Sequence, residues 1–183
     1  LKDAESRLVR LAYHDQLTGL LNRKAFYERA EELVAQAQRS SPDRLSAFLL
    51  IDLDNFKDVN DSFGHDMGDE LLRRVAERLS AHLRKTDYLF RLGGDEYTVI
   101  LTQLGQATDA ALVASNLIRA FSEPFLLDGH TVFTGLSIGI AVHPRDGLDA
   151  AELMRKSDTA LHRSKIDRNT YRFYTMQMQS EAI

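Results

Sequence analysis

The sequence predicts an α+β domain in which one central sheet, mixed but mostly antiparallel, is flanked by helices. Three observations carry that prediction. Short apolar runs of strand length, such as Ala47-Phe-Leu-Leu-Ile51, alternate with longer segments whose apolar residues recur at helical spacing. Two pairs of strand-like runs are separated only by turn residues, Gly93-Gly94-Asp95-Glu96 and Asp128-Gly129, which makes each pair antiparallel. The length of 183 residues, 44% apolar and 27% charged, suits a single core.

Residues 1–14 place Ala4, Leu8 and Leu11 at helical spacing among charges, and read as the end of a signalling or linker helix entering the domain. Gly19 breaks that pattern, and Asn22 is placed to cap a second helix over 23–40. Ser40-Ser-Pro-Asp43 reads as a turn. A buried strand over 44–52 ends in carboxylates, and Asp54-Asn55 then offers caps for a short helix over 56–63 that Gly64 terminates. Leu71, Leu72, Val75, Leu79 and Leu83 form the apolar stripe of a helix over 67–83. Strands over 87–92 and 97–101 make the first hairpin, and a helix over 108–121 stops near Pro124. Strands over 125–127 and 131–142 make the second hairpin, followed by a helix over 149–165, a strand over 170–175 and a linker over 176–183. The order β-α-α-β-β-α-β resembles the ferredoxin-like palm of nucleotide polymerases and cyclases.

A formal net charge of −4 argues against a nucleic acid polymer as partner, because such binding is driven by neutralising phosphates. With no cysteine, disulfides and thiolate metal sites are excluded, which fits a reducing compartment. No apolar run is long enough to span a bilayer, so no membrane contact is expected of these residues.

The chemistry concentrates at two strand ends. Asp52 and Asp54 flank Leu53 at a period of two, so an extended backbone would turn both to one face. The helix that follows lets one serve as its cap while the other faces a ligand. Asp95 and Glu96 follow two glycines, which permit unusual backbone conformations and close approach of a bulky ligand. Carboxylates gathered in this way repel one another unless a cation sits among them, and hard oxygen donors select Mg²⁺ or Mn²⁺.

Four blocks carry a resemblance to a known family. Asp15-x-Leu-Thr-Gly-Leu-x-Asn-Arg23, Asp52-Leu-Asp-Asn-Phe-Lys57, Asn60-Asp-x-Phe-Gly-His65-x-x-Gly-Asp69 and Arg91-Leu-Gly-Gly-Asp-Glu-Tyr97 are similar, in order and spacing, to the signatures of GGDEF domains, the diguanylate cyclases. The similarity extends over residues 15–175. It implies a cytoplasmic enzyme of bacterial second-messenger signalling that works as a transient homodimer. Each GTP 3′-hydroxyl attacks the partner's α-phosphate, giving cyclic di-GMP and two pyrophosphates.

By the resemblance, Asp52, the Leu53 carbonyl and Asp95 match metal ligands, and Asp95, with Glu96 beside it, accepts the hydroxyl proton. Asn60, His65 and Asp69 match nucleotide-recognition positions, with Asn60 and Asp69 on the guanine edge, and Lys57 stands near the phosphates. Arg84-Lys-Thr-Asp87 matches an RxxD site at which cyclic di-GMP inhibits. Two departures stand out. Tyr97 replaces the usual phenylalanine, so its hydroxyl needs a partner. The triphosphate-binding run, Ser164-Lys165-Ile-Asp-Arg168-Asn169, is one residue shorter than the family's and carries Asp167 where glycine is usual. Lys165 and Arg168 match the family's phosphate-binding pair, and the added carboxylate lowers the expected GTP affinity. The stretch after it resembles the junction between a GGDEF domain and an EAL phosphodiesterase domain, implying attached EAL and sensory domains.

Overall fold

Strand β1 (Leu45–Leu53) is apolar at almost every position because both of its faces are covered. The computed structural model describes residues 2–40 and 42–181. The expectations that fall on Leu1, Ser41, Ala182 and Ile183 (helix start, turn and linker end) lie outside the described residues. On one face of β1, Leu49 and Ile51 pack with Leu71, Val75 and Leu79 of α4 (His65–Ala81) and Ala114 and Leu117 of α5 (Thr108–Ala120). On the other, Phe48 and Leu50 pack with Phe26 and Val34 of α2 (Arg23–Ser40) and Leu153 and Leu161 of α6 (Ala150–Asp167).

The sheet order is β2-β3-β1-β6-β7, with β2 (Tyr88–Gly93), β3 (Glu96–Leu104), β6 (Leu136–His143) and β7 (Tyr171–Phe173). All pairings are antiparallel except β6 with β7. The four strands β2-β3-β1-β6, with helices crossing between them, give the expected ferredoxin-like arrangement. The register sets Asp52 opposite Glu96 on β3 and opposite Ser137 on β6. Gly139 brings α6 down onto the sheet, since a Cβ there would lie 2.1 Å from the Ser157 carbonyl oxygen and 2.2 Å from the Leu161 nitrogen. That close approach carries the last turn of α6 to the end of β1.

Several boundaries differ from the sequence reading. The run 131–142 is two strands: β5 (His130–Val132) pairs with β4 (Phe125–Leu127), whereas β6 joins the main sheet. The break falls at Gly135, where a Cβ would crowd Asn169 Oδ1 and Asp54 Oδ2. Helix α4 begins at His65 rather than Met67. Asn22 caps α2 as expected, accepting from the Ala25 N–H at 3.0 Å. The expected cap of α3 (Phe56–Phe63) is absent: Asn55 sits in the left-handed region (φ 62°) and makes no side-chain cap bond. Residues expected as linker form a short helix, α7 (Met176–Glu181), and the leading segment forms α1 (Lys2–Tyr13). No helix among the described residues is long and apolar enough to cross a membrane.

Candidate active site

The end of β1 and the β2–β3 turn meet as the sequence predicts. Leu53 N–H donates to the Asp95 carbonyl at 3.4 Å, and the Asp95 carboxylate stands against that of Asp52. Asp52 Oδ1 is buried and has no hydrogen-bond partner among the described residues. Burial first, then the neighbouring Asp95, hold the Asp52 carboxyl up at about 7, against a downward pull from Lys165. Burial, then the Asp52 charge, likewise raise Glu96, which Arg23 and His162 draw back down. An uncompensated oxygen of this kind is costly in a folded protein and marks a place built for a ligand.

Among the described residues, Lys165 supplies the one cation that pairs with this cradle. Its Nζ lies 3.2 Å from Asp52 Oδ2, donates to the Leu53 carbonyl at 3.2 Å, and lies 3.4 Å from Asp54 Oδ1. Asp54 differs sharply from Asp52, two residues away. It is only 5% exposed, and its carboxylate accepts from Ser137 Oγ at 2.6 Å and from the Asn169 N–H at 2.8 Å. These bonds tie β1 to β6 and to the loop after α6, so Asp54 is the structural member of the pair.

Helix α6 ends at Arg168, whose φ of 60° and ψ of 165° belong to a region that only glycine occupies easily. Arg168 itself, rather than Asp167, therefore stands at the helix-ending position where glycine is favoured. Its guanidinium donates to Asn55 Oδ1 at the start of α3, so the shortened run still delivers Arg168 to this side of the site. Asp167 points to Arg172, 2.8 Å away. Lys57 is exposed in the first turn of α3. Asn60 lies on α3 against Gly68, where a Cβ would come within 1.8 Å of Asn60 Oδ1. His65 and Asp69 are exposed in the first turns of α4. One helical hairpin thus carries all three candidate base-recognition residues.

Arg84 and Asp87 pair at 3.0 Å at the far end of the hairpin, where β2 begins. Asp87 also accepts from the Arg84 backbone N–H at 2.8 Å. Tyr97 has the partner it needs, donating to the Leu72 carbonyl at 2.7 Å, and burial raises its hydroxyl. The structure adds a clamp that the sequence reading assigned no role. Arg91 donates to the Gly94 carbonyl at 2.8 Å through Nη2 and pairs with Asp15 at 2.7 Å, fixing the acidic turn to the segment after α1. Both residues stand within the signature blocks, which was the available signal. Among the described residues no group of three or more His, Cys, Asp or Glu side chains is gathered that could hold a metal ion, so an ion here would need oxygens from its ligand.

Comparison with known proteins identifies the family. The family described as "Diguanylate cyclase, GGDEF domain" matches residues 12–170. The bifunctional diguanylate cyclase/cyclic di-GMP phosphodiesterase MucR of Pseudomonas aeruginosa is 43% identical over the whole chain, which covers 26% of that protein. The cyclic di-GMP phosphodiesterase NbdA of the same organism is 38% identical over 97% of the chain, which covers 22% of NbdA. The chain thus spans about a quarter of these relatives' length. The solved GGDEF domain of TpbB from Pseudomonas aeruginosa superposes with a TM-score of 0.88 at 37% identity, covering 92% of this chain and 98% of that one. With the family matched over most of its length, the chain belongs to the GGDEF domain family.

Proposed function

We propose that this domain is a diguanylate cyclase that condenses two GTP into cyclic di-GMP and two pyrophosphates across a transient homodimer. The observation that carries the reading is the buried, unmatched Asp52 Oδ1 beside Asp95, at the mouth of a strand-end cradle. Asp52, the Leu53 carbonyl and Asp95 offer hard oxygens and would hold Mg²⁺ or Mn²⁺. When bound, such an ion neutralises phosphate charge and favours the attacking hydroxylate. The 3′-hydroxyl oxygen bonds to the α-phosphorus of the partner's GTP as the bond to the β-phosphate oxygen breaks. Pyrophosphate leaves, and the proton passes to Asp95. Glu96, whose carboxyl burial raises, stands beside it to share that proton.

Lys57 and Arg168 face the triphosphate, joined by Lys165. Asn60 and Asp69 read the guanine edge, where an amide and a carboxylate answer its carbonyl and N–H groups, and His65 completes the nucleotide site. Arg84 and Asp87 form the product site through which cyclic di-GMP inhibits. A requirement for GTP places the domain in the cytoplasm, and the extra length of its relatives suits attached sensory and EAL domains.

The position of Lys165 on the cradle favours a second reading, a regulatory module that binds GTP or cyclic di-GMP and controls an attached phosphodiesterase. One assay separates them. The purified domain, at high concentration, is incubated with GTP and Mg²⁺ or Mn²⁺ and its nucleotides are resolved by chromatography. Cyclic di-GMP and pyrophosphate are expected; GTP binding without cyclic di-GMP would overturn the first reading in favour of the second.

A further inference from the structure

Lys165 is the feature of this site with most left to explain. An ammonium group has three N–H donors, and here three oxygens surround it: the Leu53 carbonyl, Asp52 Oδ2 and Asp54 Oδ1. Two of these belong to the residues that the proposed metal site uses. The ammonium therefore sits on two of the oxygens that a divalent ion would take, Asp52 Oδ2 and the Leu53 carbonyl, and leaves only Asp52 Oδ1 open, so the two cations contend for one cradle. Asp54 is a shared acceptor: its Oδ1 takes the Ser137 hydroxyl as well as Lys165, and its Oδ2 takes the Asn169 N–H.

We propose that Lys165 is a tethered cation that competes with the divalent ion for the Asp52–Leu53 cradle, and that the ion displaces it onto the triphosphate. This rests on the reading of Asp52 and the Leu53 carbonyl as metal ligands. A bare ion that displaces Lys165 takes two of the three acceptors of an ammonium half-buried at 29% side-chain exposure, leaving it Asp54 Oδ1 alone. An ion arriving with a triphosphate brings new acceptors for the same ammonium. Lys165 thereby couples the two ligands: each binds better with the other, by the same factor. The cradle then discriminates against a free divalent ion and admits the ion–nucleotide complex, which keeps the carboxylates neutralised until substrate is present.

Lys165 lies in the last turn of α6, three residues before the strained Arg168, and Arg168 is already turned to Asn55 at the start of α3. The two cations thus flank the place between β1 and α3, one on the acidic oxygens and one beyond them.

The test is Mn²⁺ binding to the whole domain, followed by the electron paramagnetic resonance of the free ion, with and without a non-hydrolysable GTP analogue. In Lys165→Met, Mn²⁺ alone is expected to bind at least ~10-fold more tightly than in the wild type, while the analogue with Mn²⁺ binds ~10-fold less tightly. Lys165→Gln, neutral yet able to donate to the Leu53 carbonyl, gives the same direction should the methionine variant fail to fold. Unchanged or weaker binding of Mn²⁺ alone in both variants would overturn the proposal. Asp52→Asn separates the two levels of inference. If it leaves binding of Mn²⁺ with the analogue intact, the metal-site reading fails and takes the proposal with it. If it abolishes that binding while the Lys165 variants gain nothing, only the tethered-cation proposal fails.

Discussion

The two ends of the β2–β3 hairpin carry the same kinds of group in opposite states. Where β2 begins, Asp87 is 1% exposed and its carboxylate takes the Arg84 backbone N–H and guanidinium together. At the turn, Asp95 stands against Asp52, whose Oδ1 is buried with no partner, and Glu96 faces Asp52 across the register. One end is a closed pair that stabilises its corner. The other gathers carboxylates that Lys165 and the raised Asp52 carboxyl neutralise only in part, and a bound cation and substrate would relieve the rest. The difference teaches that acidic residues alone do not mark the chemistry; an unmet carboxylate oxygen crowded by a second acid sets the turn apart.

The largest effect should come from disarming the turn. In Asp95→Asn, cyclic di-GMP formation should fall by roughly 100-fold or more, since the proposed proton acceptor and metal ligand is lost. Its thermal midpoint should nevertheless rise by about 2–4 °C, because repulsion against Asp52 is gone. A lowered midpoint would show that the carboxylates are not opposed, and the comparison would break.

The other end should respond in reverse. Asp87→Ala removes a buried acceptor from the Arg84 N–H and should cost about 2 kcal/mol in chemical denaturation. Arg84→Ala, at an exposed guanidinium, should change stability by no more than about 0.5 kcal/mol. Both should lift product inhibition, measured as initial rate against added cyclic di-GMP. Inhibition that survives in both variants would remove the product-site assignment while leaving the structural pair intact.

Arg168 tests a different strain at the same site. At φ 60° and ψ 165° it holds a conformation that costs about 1–3 kcal/mol for any residue but glycine. Arg168→Gly should therefore stabilise the domain by roughly 1 kcal/mol, while weakening GTP binding in calorimetry through loss of the guanidinium. Equal stability and unchanged GTP affinity would mean that this arginine neither stores strain nor meets phosphate.

Much of this was legible in the sequence, for a local reason. The apolar run of β1, the capping of α2 by Asn22 and the acidic hairpin all depend on residues close in the chain. What stayed hidden depends on partners far away. Lys165 meets Leu53 across 112 positions, and Arg91 meets Asp15 across 76, distances at which spacing carries no information. The strand pattern over 131–142 is apolar on both sides of its break, and Gly135 was a signal inside it; a Cβ there would crowd Asn169 and Asp54, contacts that spacing could not reveal. The sequence showed that Asp52 and Asp54 could divide a structural and a ligand role, but Asp54 takes the structural one through Ser137 and Asn169 rather than by capping α3.

The smallest effect concerns an unmet polar atom with no charged neighbour, and it sharpens what the unmet oxygen of Asp52 means. His143 ends β6, is 3% exposed, and its Nδ1 has no partner among the described residues. Burial lowers its pKa from 6.5. The sign follows directly: the unfolded chain takes up the proton more readily, so this histidine's stability contribution is whole above pH 6.5 and is lost as pH falls through the lowered folded value. His143→Gln should flatten the decline of stability just below pH 6.5 while leaving cyclic di-GMP synthesis unchanged at pH 8. If synthesis fell with the substitution, an unmet buried atom would mark function here even without a cluster of charges. If only the acid limb moved, the atom is a packing cost, and it is the crowding of Asp52 by Asp95 that distinguishes the site.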